Sequence, residues 1–219
     1  MPASISSFGK SVFYNCQSLS ILLLDCEQDI AINENTFCCC TSLKEIKFQC
    51  LIKSIENDLF NGCTSLTEIS IPQSVTYIGA AAFRNCVNLQ QIDLPETVNF
   101  IGDGAFYQCK LIKKIKIPSL ITSIKSGCFM NCLSLSQVEL CQSLRSIEKD
   151  SFNNCFSLKK IYIPPSVENI DSSAFYHCRV LEEINFGIQS SLKYIGEYVF
   201  CKCSSLKQIE IPSSVTSIG

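Results

Sequence analysis

The chain has 219 residues, 47% of them hydrophobic, and its 18 Lys and Arg against 20 Asp and Glu give a formal net charge of −2. This balance supplies no general attraction to phosphate backbones or anionic membranes, so it argues against nucleic acid as a partner. The longest apolar runs, such as residues 21–24, fall far short of the roughly 20 residues that a membrane helix requires, and residues 1–7 lack the basic stretch and apolar core of a secretory signal.

A phenylalanine is followed three residues later by a cysteine nine times along the chain. Seven of the eight steps between successive pairs are 23 or 24 residues long. Self-similarity at this period is typical of a solenoid of stacked coils, so we predict one domain over residues 1–219 with about nine coils of 23–25 residues. The pairs are Phe13/Cys16, Phe37/Cys40, Phe60/Cys63, Phe83/Cys86, Phe106/Cys109, Phe129/Cys132, Phe152/Cys155, Phe175/Cys178 and Phe200/Cys203.

Each interior coil predicts the same series of elements. An Ile-x-Ile segment such as Ile69–Ile71 has the two-residue period of a strand with alternate side chains in a core, and the next proline, Pro72, ends it. A second short extended segment follows at Val75 to Ile78, and the Ala-Phe-x-x-Cys stretch predicts a tight helical or 3₁₀ turn. Stacked in register about 4.8 Å apart, equivalent strands should form one long parallel sheet.

Two coils are longer than the others. The step from Phe13 to Phe37 gains one residue near residues 25–29, where the strand exit lacks proline, and the step from Phe175 to Phe200 gains two at residues 187–191. Both insertions follow the predicted strand, where a loop can bulge without disturbing the stack. Tolerated loop variation is the favoured interpretation, and a dedicated binding loop is the alternative.

The Leu-x-x-Ile-x-Ile-Pro strand followed by Ile-Gly-x-x-Ala-Phe-x-x-Cys resembles the BspA-like leucine-rich repeat family over essentially the whole chain. Residues 78–86 and 101–109 match its pattern almost residue for residue. The resemblance implies a right-handed leucine-rich repeat coil with a parallel sheet, used for binding. It also implies a relation to surface antigens and adhesins of bacteria and anaerobic protozoan parasites.

The chain contains 16 cysteines, which could form disulfides, bind metal or pack as buried thiols. Nine occupy the same slot in every coil, where stacked Cβ atoms point the same way and an odd number cannot pair completely. We therefore predict a reduced column packed against the phenylalanines. A metal site that gathers Cys38, Cys39 and Cys40 with Cys26 and Cys50 is the minor alternative, since no Cys-x-x-Cys occurs.

Catalytic patterns are scarce. His177 is the only histidine and takes a slot that elsewhere holds Asn85, Gln108 or Asn131, so it is expected to be a solvated turn residue rather than a base. No phosphate loop or dinucleotide fingerprint appears. We predict that the chain is not an enzyme and needs no cofactor.

The outward strand positions form two columns of variable side chains beside the nearly constant core columns. Mixed charge along them suits a protein or peptide ligand better than a uniform polyanion. An ordinary solvent-exposed sheet face without a binding role is the alternative, because it would carry the same mixture of charges. Lys113, Lys114 and Lys116 with Lys159 and Lys160 predict basic patches, and Tyr162 is the best candidate for an anchor. The candidate partner-binding face consists of Lys47, Asp93, Lys114, Lys116, Glu139, Lys160, Tyr162, Glu183 and Glu210.

Other expectations concern the ends of the array and the compartment. Ile21 and Leu23 point outward on the first full strand, and the sequence stops in mid-coil without a polar cap, which predicts a fragment or end-to-end self-association.

Display at the cell surface follows from the resemblance, whereas a thiol-rich chain without a disulfide plan or a signal indicates the cytoplasm. A surface antigen or adhesin is the leading hypothesis, an intracellular scaffold the second, and a thiol-rich metal or redox protein a distant third.

Overall fold

The computed structural model describes residues 5–25 and 29–219, which form a parallel β-solenoid with no helix among them. Each coil contributes a long strand, a short strand and a connecting turn. The long strands are β2 (Ile21–Leu24), β4 (Glu45–Phe48), β6 (Glu68–Ser70), β8 (Gln91–Asp93), β10 (Lys114–Lys116), β12 (Gln137–Glu139), β14 (Lys160–Ile163) and β16 (Glu183–Phe186). The short strands are β1 (Ser7–Phe8), β3 (Ala31–Ile32), β5 (Ser54–Ile55), β7 (Tyr77–Ile78), β9 (Phe100–Ile101), β11 (Ser123–Ile124), β13 (Ser146–Ile147), β15 (Asn169–Ile170), β17 (Tyr194–Ile195) and β18 (Ser217–Ile218).

Neighbouring coils are in register at every paired strand. In the β10–β12 pair, Ile115 lies opposite Val138, and in the β15–β17 pair Ile170 lies opposite Ile195. Pairing is parallel throughout, so the predicted leucine-rich repeat solenoid is confirmed.

The predicted long sheet is divided into shorter ladders. The long strands pair two by two, as β2–β4, β6–β8, β10–β12 and β14–β16. The short strands form a two-stranded, a three-stranded and a five-stranded sheet, the last running from β11 to β18. Residues 208–211 in the last coil, which the repeat predicts as a long strand, have no strand assignment.

The Phe-x-x-Cys segment is a hydrogen-bonded turn rather than the predicted helical or 3₁₀ turn. The residues two before and two after each phenylalanine adopt left-handed backbone angles; around Phe83, φ is 53° at Ala81 and 59° at Asn85. Because left-handed residues cannot continue a right-handed helix, each turn reverses after a few residues. The same constraint explains why Gly, Asn and Asp recur in these two slots.

A stack of phenylalanine rings lies at the centre of the array. The rings of Phe106 and Phe129 are 5.4 Å apart between centroids with an interplanar angle of 1°, and the seven rings from Phe37 to Phe175 are fully buried. The turns also bond to one another, since the Phe83 amide donates to the Ala105 carbonyl oxygen of the next coil at 2.8 Å. One hydrophobic core therefore runs without a break from Leu22 to Cys203.

The second insertion bulges as predicted. Residues 187–191 follow β16 directly, Ile188 is 91% exposed, and the Ser191 amide donates to the Pro165 carbonyl oxygen at 2.8 Å. The stack resumes at the buried Leu192. Most of the first insertion, residues 26–28, lies outside the described residues.

Candidate functional site

All nine residues of the predicted partner-binding face are exposed. They project from the long strands and from the equivalent segment of the last coil, while the alternate positions point inward. β14 shows the pattern, with Ile161 and Ile163 buried and Lys160 and Tyr162 exposed. We call this surface the strand face.

Most lysines of the strand face pair with glutamates from neighbouring coils, which differs from the predicted basic patches. The Lys114 ammonium lies 2.8 Å from a Glu139 carboxylate oxygen, and the Lys116 ammonium lies 2.6 Å from Glu96. Two further pairs join Lys159 to Glu182 and Lys160 to Glu183. Four of the five lysines of the predicted patches thus have a carboxylate one coil away, and Lys113 alone has no ion pair with a described residue.

The pKa values follow this pairing. A hydrogen bond from Lys114 lowers the pKa of Glu139, and a hydrogen bond to Glu96 raises the pKa of Lys116. The groups are fully exposed, so the pairs contribute little to stability. They give the face a fixed alternation of charge.

Three further members of the face interact within their own strand segment. Lys47 pairs with Glu45 at 2.6 Å, and the Gln91 amide donates to Asp93 at 3.3 Å. In the last coil the Gln208 amide donates to Glu210 at 3.4 Å.

Tyr162 is the aromatic member of the face, with 43% of its surface exposed. Its hydroxyl lies close to Gly187, because a Cβ built on that glycine would be 2.6 Å from the hydroxyl oxygen and 2.9 Å from Pro165 Cδ. The ring is thus held against the start of the insertion while a large part of it faces solvent. A rigid, half-exposed tyrosine is well suited to anchoring a partner.

Grooves open on the strand face among the residues that the structure describes. One of about 770 Å³ lies between β16 and residues 207–214, and a second of about 600 Å³ lies between β4 and β6. A third of about 370 Å³ lies beside the loops that follow β10 and β12. Seven of the nine predicted residues line them, namely Lys47, Asp93, Lys116, Glu139, Lys160, Glu183 and Glu210.

The grooves were not predicted, although the sequence carries a signal for the larger two. Both lie where the long strands are not hydrogen-bonded, next to coils whose strand ends in Phe-Gln or Phe-Gly instead of Ile-Pro. Phe48 and Phe186 occupy these strand ends and line the two grooves. A phenylalanine at the strand end, in place of the Ile of Ile-Pro, therefore marks the two coils beside which the larger grooves form.

The repeat cysteines have a specific bonding role. The Cys86 thiol donates to the Phe60 carbonyl oxygen of the preceding coil at 3.1 Å, and the same bond recurs at every later column cysteine through Cys203. Burial raises the pKa of the Cys203 thiol to about 11, and it raises the pKa of Cys86 as well. The nine column cysteines are free thiols.

The alternative metal site concerns Cys38 to Cys40. The Cys38 and Cys39 sulfurs lie 3.7 Å apart, and burial raises the pKa of Cys38 to about 12. Over residues 5–25 and 29–219, no group of three or more His, Cys, Asp or Glu side chains is arranged to hold a metal ion. Cys26, which the hypothesis also included, lies outside these ranges.

His177 occupies a left-handed turn position with φ of 58°. Its Nδ1 lies 3.1 Å from the Asn154 side-chain oxygen, and its ring meets the Phe156 ring edge-on at 5.0 Å. It is partly exposed, as predicted for a turn residue, and its contacts are those of a structural side chain.

Ile21 and Leu23 are exposed on β2, at 52% and 57%, as predicted for outward residues of the first full strand. Self-association through such residues stays a prediction.

The structure describes no helix of the length and apolarity that crossing a bilayer would require.

Solved structures with the same architecture come from several bacteria. A leucine-rich cell surface protein from Faecalibacterium prausnitzii is 27% identical with a TM-score of 0.58, over 90% of this chain and 61% of that one. The T. pallidum leucine-rich repeat protein is 28% identical with a TM-score of 0.65, over 85% of this chain and 82% of that one. A Eubacterium ventriosum leucine-rich repeat protein, 22% identical with a TM-score of 0.72 over 100% of this chain and 61% of that one, shares the fold.

The chain thus spans less than two thirds of the length of the Faecalibacterium protein. No curated protein sequence matches it significantly. The family model described as BspA type leucine rich repeat region matches six copies, at residues 1–89, 30–155 and 122–219, which together cover the chain. The fold, the repeat and this match show that the chain belongs to the BspA-type leucine-rich repeat family.

Proposed function

We propose that the chain is a non-enzymatic protein-binding module that holds its partner against the strand face. The observation that carries the proposal is the coincidence of the two larger grooves, about 770 and 600 Å³, with the outward columns of the long strands. Grooves of this size accept side chains of a partner, and the alternating charges around them select a partner with its own mixed charge pattern.

The fixed core and varied surface support the same function. The buried columns repeat Leu, Ile, Phe and Cys from coil to coil, while the exposed columns hold Lys, Glu, Asp, Ser, Asn and Tyr. A solenoid can change its outward residues without changing its packing, because each coil contacts only its neighbours. Recognition through a broad surface needs no catalytic group.

Capture of a partner by the purified array tests the proposal. The double variant Lys47→Ala/Lys160→Ala removes a charge from each of the two larger grooves and should weaken capture at least tenfold, with thermal unfolding nearly unchanged. A control variant, Lys10→Ala, removes an exposed lysine outside this face and should capture normally. Unaltered capture by the double variant would place the interface elsewhere.

We further propose display at the cell surface, with a role in adhesion to host or neighbouring cells. The support is the similarity to the Faecalibacterium protein, whose description is a leucine-rich cell surface protein. Labelling of intact, non-permeabilised cells with an antibody against the array tests this step. Signal only after permeabilisation would contradict surface display.

An intracellular scaffold of the same architecture is the second candidate. It is favoured by the free thiols, since exposed Cys201 and partly exposed Cys16 and Cys39 would be prone to oxidation outside a reducing compartment. The labelling experiment separates the two candidates, because both predict binding through the strand face and only one predicts access from outside the cell.

A further inference from the structure

The second surface of interest lies on the turns, on the side of the coils where the Phe-x-x-Cys segments reverse the chain. It comprises the two residues after each repeat phenylalanine and the two residues after each repeat cysteine. None of these positions holds Asp or Glu in any of the nine coils, although the chain has 20 acidic residues. We call this surface the turn face.

Four cations lie on the turn face, namely Arg84, Lys110, Arg179 and Lys202. The lysines of the strand face pair with glutamates, but none of these four forms a salt bridge with a residue that the structure describes. Three of them lie over aromatic rings instead. Arg84 is 4.8 Å from the Tyr107 centroid, Arg179 is 4.4 Å from that of Phe156, and Lys202 is 5.1 Å from that of Tyr176.

Stacking on a ring holds a cation in place without neutralising its charge. The nearest acidic columns, which include Asp103 and Asp150, come before the phenylalanine and border the turn face rather than lying on it. The turn face is therefore a positively charged surface on a protein whose net charge is −2. Its charge complements an anionic partner.

One column of residues on the turn face indicates more closely which kind of partner would bind there. The residue after the repeat cysteine is Lys110, Leu133, Phe156 and Arg179 in four successive coils. Both cations are exposed, and the two apolar side chains between them are partly exposed. Three coil steps at about 4.8 Å separate the backbone positions of the two cations by about 14 Å, and the Arg179 guanidinium reaches back over the Phe156 ring.

We propose that this column, Lys110–Leu133–Phe156–Arg179, binds an extended acidic peptide segment of the form Glu-x-Leu-x-Glu. In an extended chain at about 3.4 Å per residue, two carboxylates four residues apart are separated by about 14 Å. The middle residue points to the same side as both acids and meets Leu133 and Phe156. A long uniform polyanion fits less well, because the centre of the column is apolar.

Fluorescence anisotropy with a synthetic probe tests the site. The probe is a fluorescein-labelled nonapeptide with Glu-Ser-Leu-Ser-Glu at its centre, and its controls replace either both glutamates by glutamine or the leucine by serine. We expect Lys110→Ala/Arg179→Ala to lose at least tenfold in affinity for the probe, and each control peptide to bind several-fold more weakly. Raising the ionic strength from about 0.01 to about 0.15 M, which shortens the Debye length from about 30 to about 8 Å, should weaken binding.

The matched control protein is Arg145→Ala/Lys193→Ala, which removes the same charges from the pair of cations that flank Glu168. It should bind the probe normally. The strand-face variant Tyr162→Ala/Lys116→Ala should also bind the probe normally, because the proposed peptide site lies on the turn face. Equal binding by Lys110→Ala/Arg179→Ala and the unmodified protein would overturn the proposal. Tighter binding of a heparin tetrasaccharide than of the probe would also overturn it, in favour of an anionic polysaccharide.

Discussion

The Cys109 thiol donates a hydrogen bond to the Phe83 carbonyl oxygen of the preceding coil, with 3.1 Å between sulfur and oxygen. Both residues are fully buried, and the thiol adds a second hydrogen bond to a carbonyl that also accepts from the Cys86 amide at 3.1 Å and that water cannot reach. The repeat therefore selects cysteine for two properties, a small apolar body and a donor that reaches the coil before it. The bond links the residues that define the 23-residue period.

We expect Cys109→Ala to destabilise the array by about 1–3 kcal/mol, because it removes one of the two hydrogen bonds to the buried Phe83 carbonyl and leaves a small cavity where the sulfur was. The free energy of unfolding from urea titration measures the effect. Cys201→Ala is the control, since Cys201 is exposed and outside the column, and its change should be within about 0.5 kcal/mol. Equal effects at the two positions would show that the bond has no energetic role.

Phe106→Ala should cost about 3–5 kcal/mol, since it leaves a cavity between two stacked rings, each 5.4 Å away. Phe100 is the comparison, because it is partly exposed and stacks on Tyr77 at 5.0 Å outside the core. Phe100→Ala should cost clearly less in the same urea titration. If Phe100→Ala lowers the free energy of unfolding more than Phe106→Ala does, the phenylalanine stack is not the main source of stability.

Ala81→Gly should stabilise the protein by about 1 kcal/mol. Ala81 has φ of 53°, a left-handed conformation that costs an L residue with a Cβ roughly 1–2 kcal/mol, and glycine adopts it without that cost. The adjacent Ala82 is buried and is not among the left-handed residues, so Ala82→Gly should destabilise instead. Thermal unfolding of the two variants distinguishes them by the sign of the change in melting temperature.

The buried thiols predict a loss of stability at alkaline pH. Burial raises the pKa of Cys40 and Cys203 to about 11 and that of Cys38 to about 12, from an ordinary value near 9. The unfolded chain therefore loses these protons at lower pH than the folded chain does. The stabilisation is complete below about pH 9 and is lost as pH rises through 11 to 12.

Urea midpoints between pH 7 and pH 11 measure this dependence. Cys40→Ala should reduce the slope above pH 9, because one shifted thiol is removed. The control is Val12→Ala, which changes an exposed residue without an ionisable side chain and should leave the slope unchanged. A midpoint that stays constant to pH 11 would contradict the assignment of the thiols to the buried core.

Much of the candidate site could be predicted because a strand has a two-residue period. Once Ile161 and Ile163 are assigned to the core, Lys160 and Tyr162 must point outward, and the structure places them there. The pair Lys160–Glu183 also follows from the register of the coils, but not every charge pair could be predicted in this way. Lys116 pairs with Glu96, which lies in a loop after the preceding long strand, and only the path of that loop brings the two together.

The sequence by itself determined the solenoid, its period and the identity of its core, because each coil buries the same residues against the next and the pattern can be read from any one of them. Tertiary structure alone decided where the long strands separate into grooves and which cations have no carboxylate partner among the described residues. Those features depend on small differences between coils, such as Phe186-Gly187 in place of Ile-Pro, whose effect is set by the distance to the neighbouring coil.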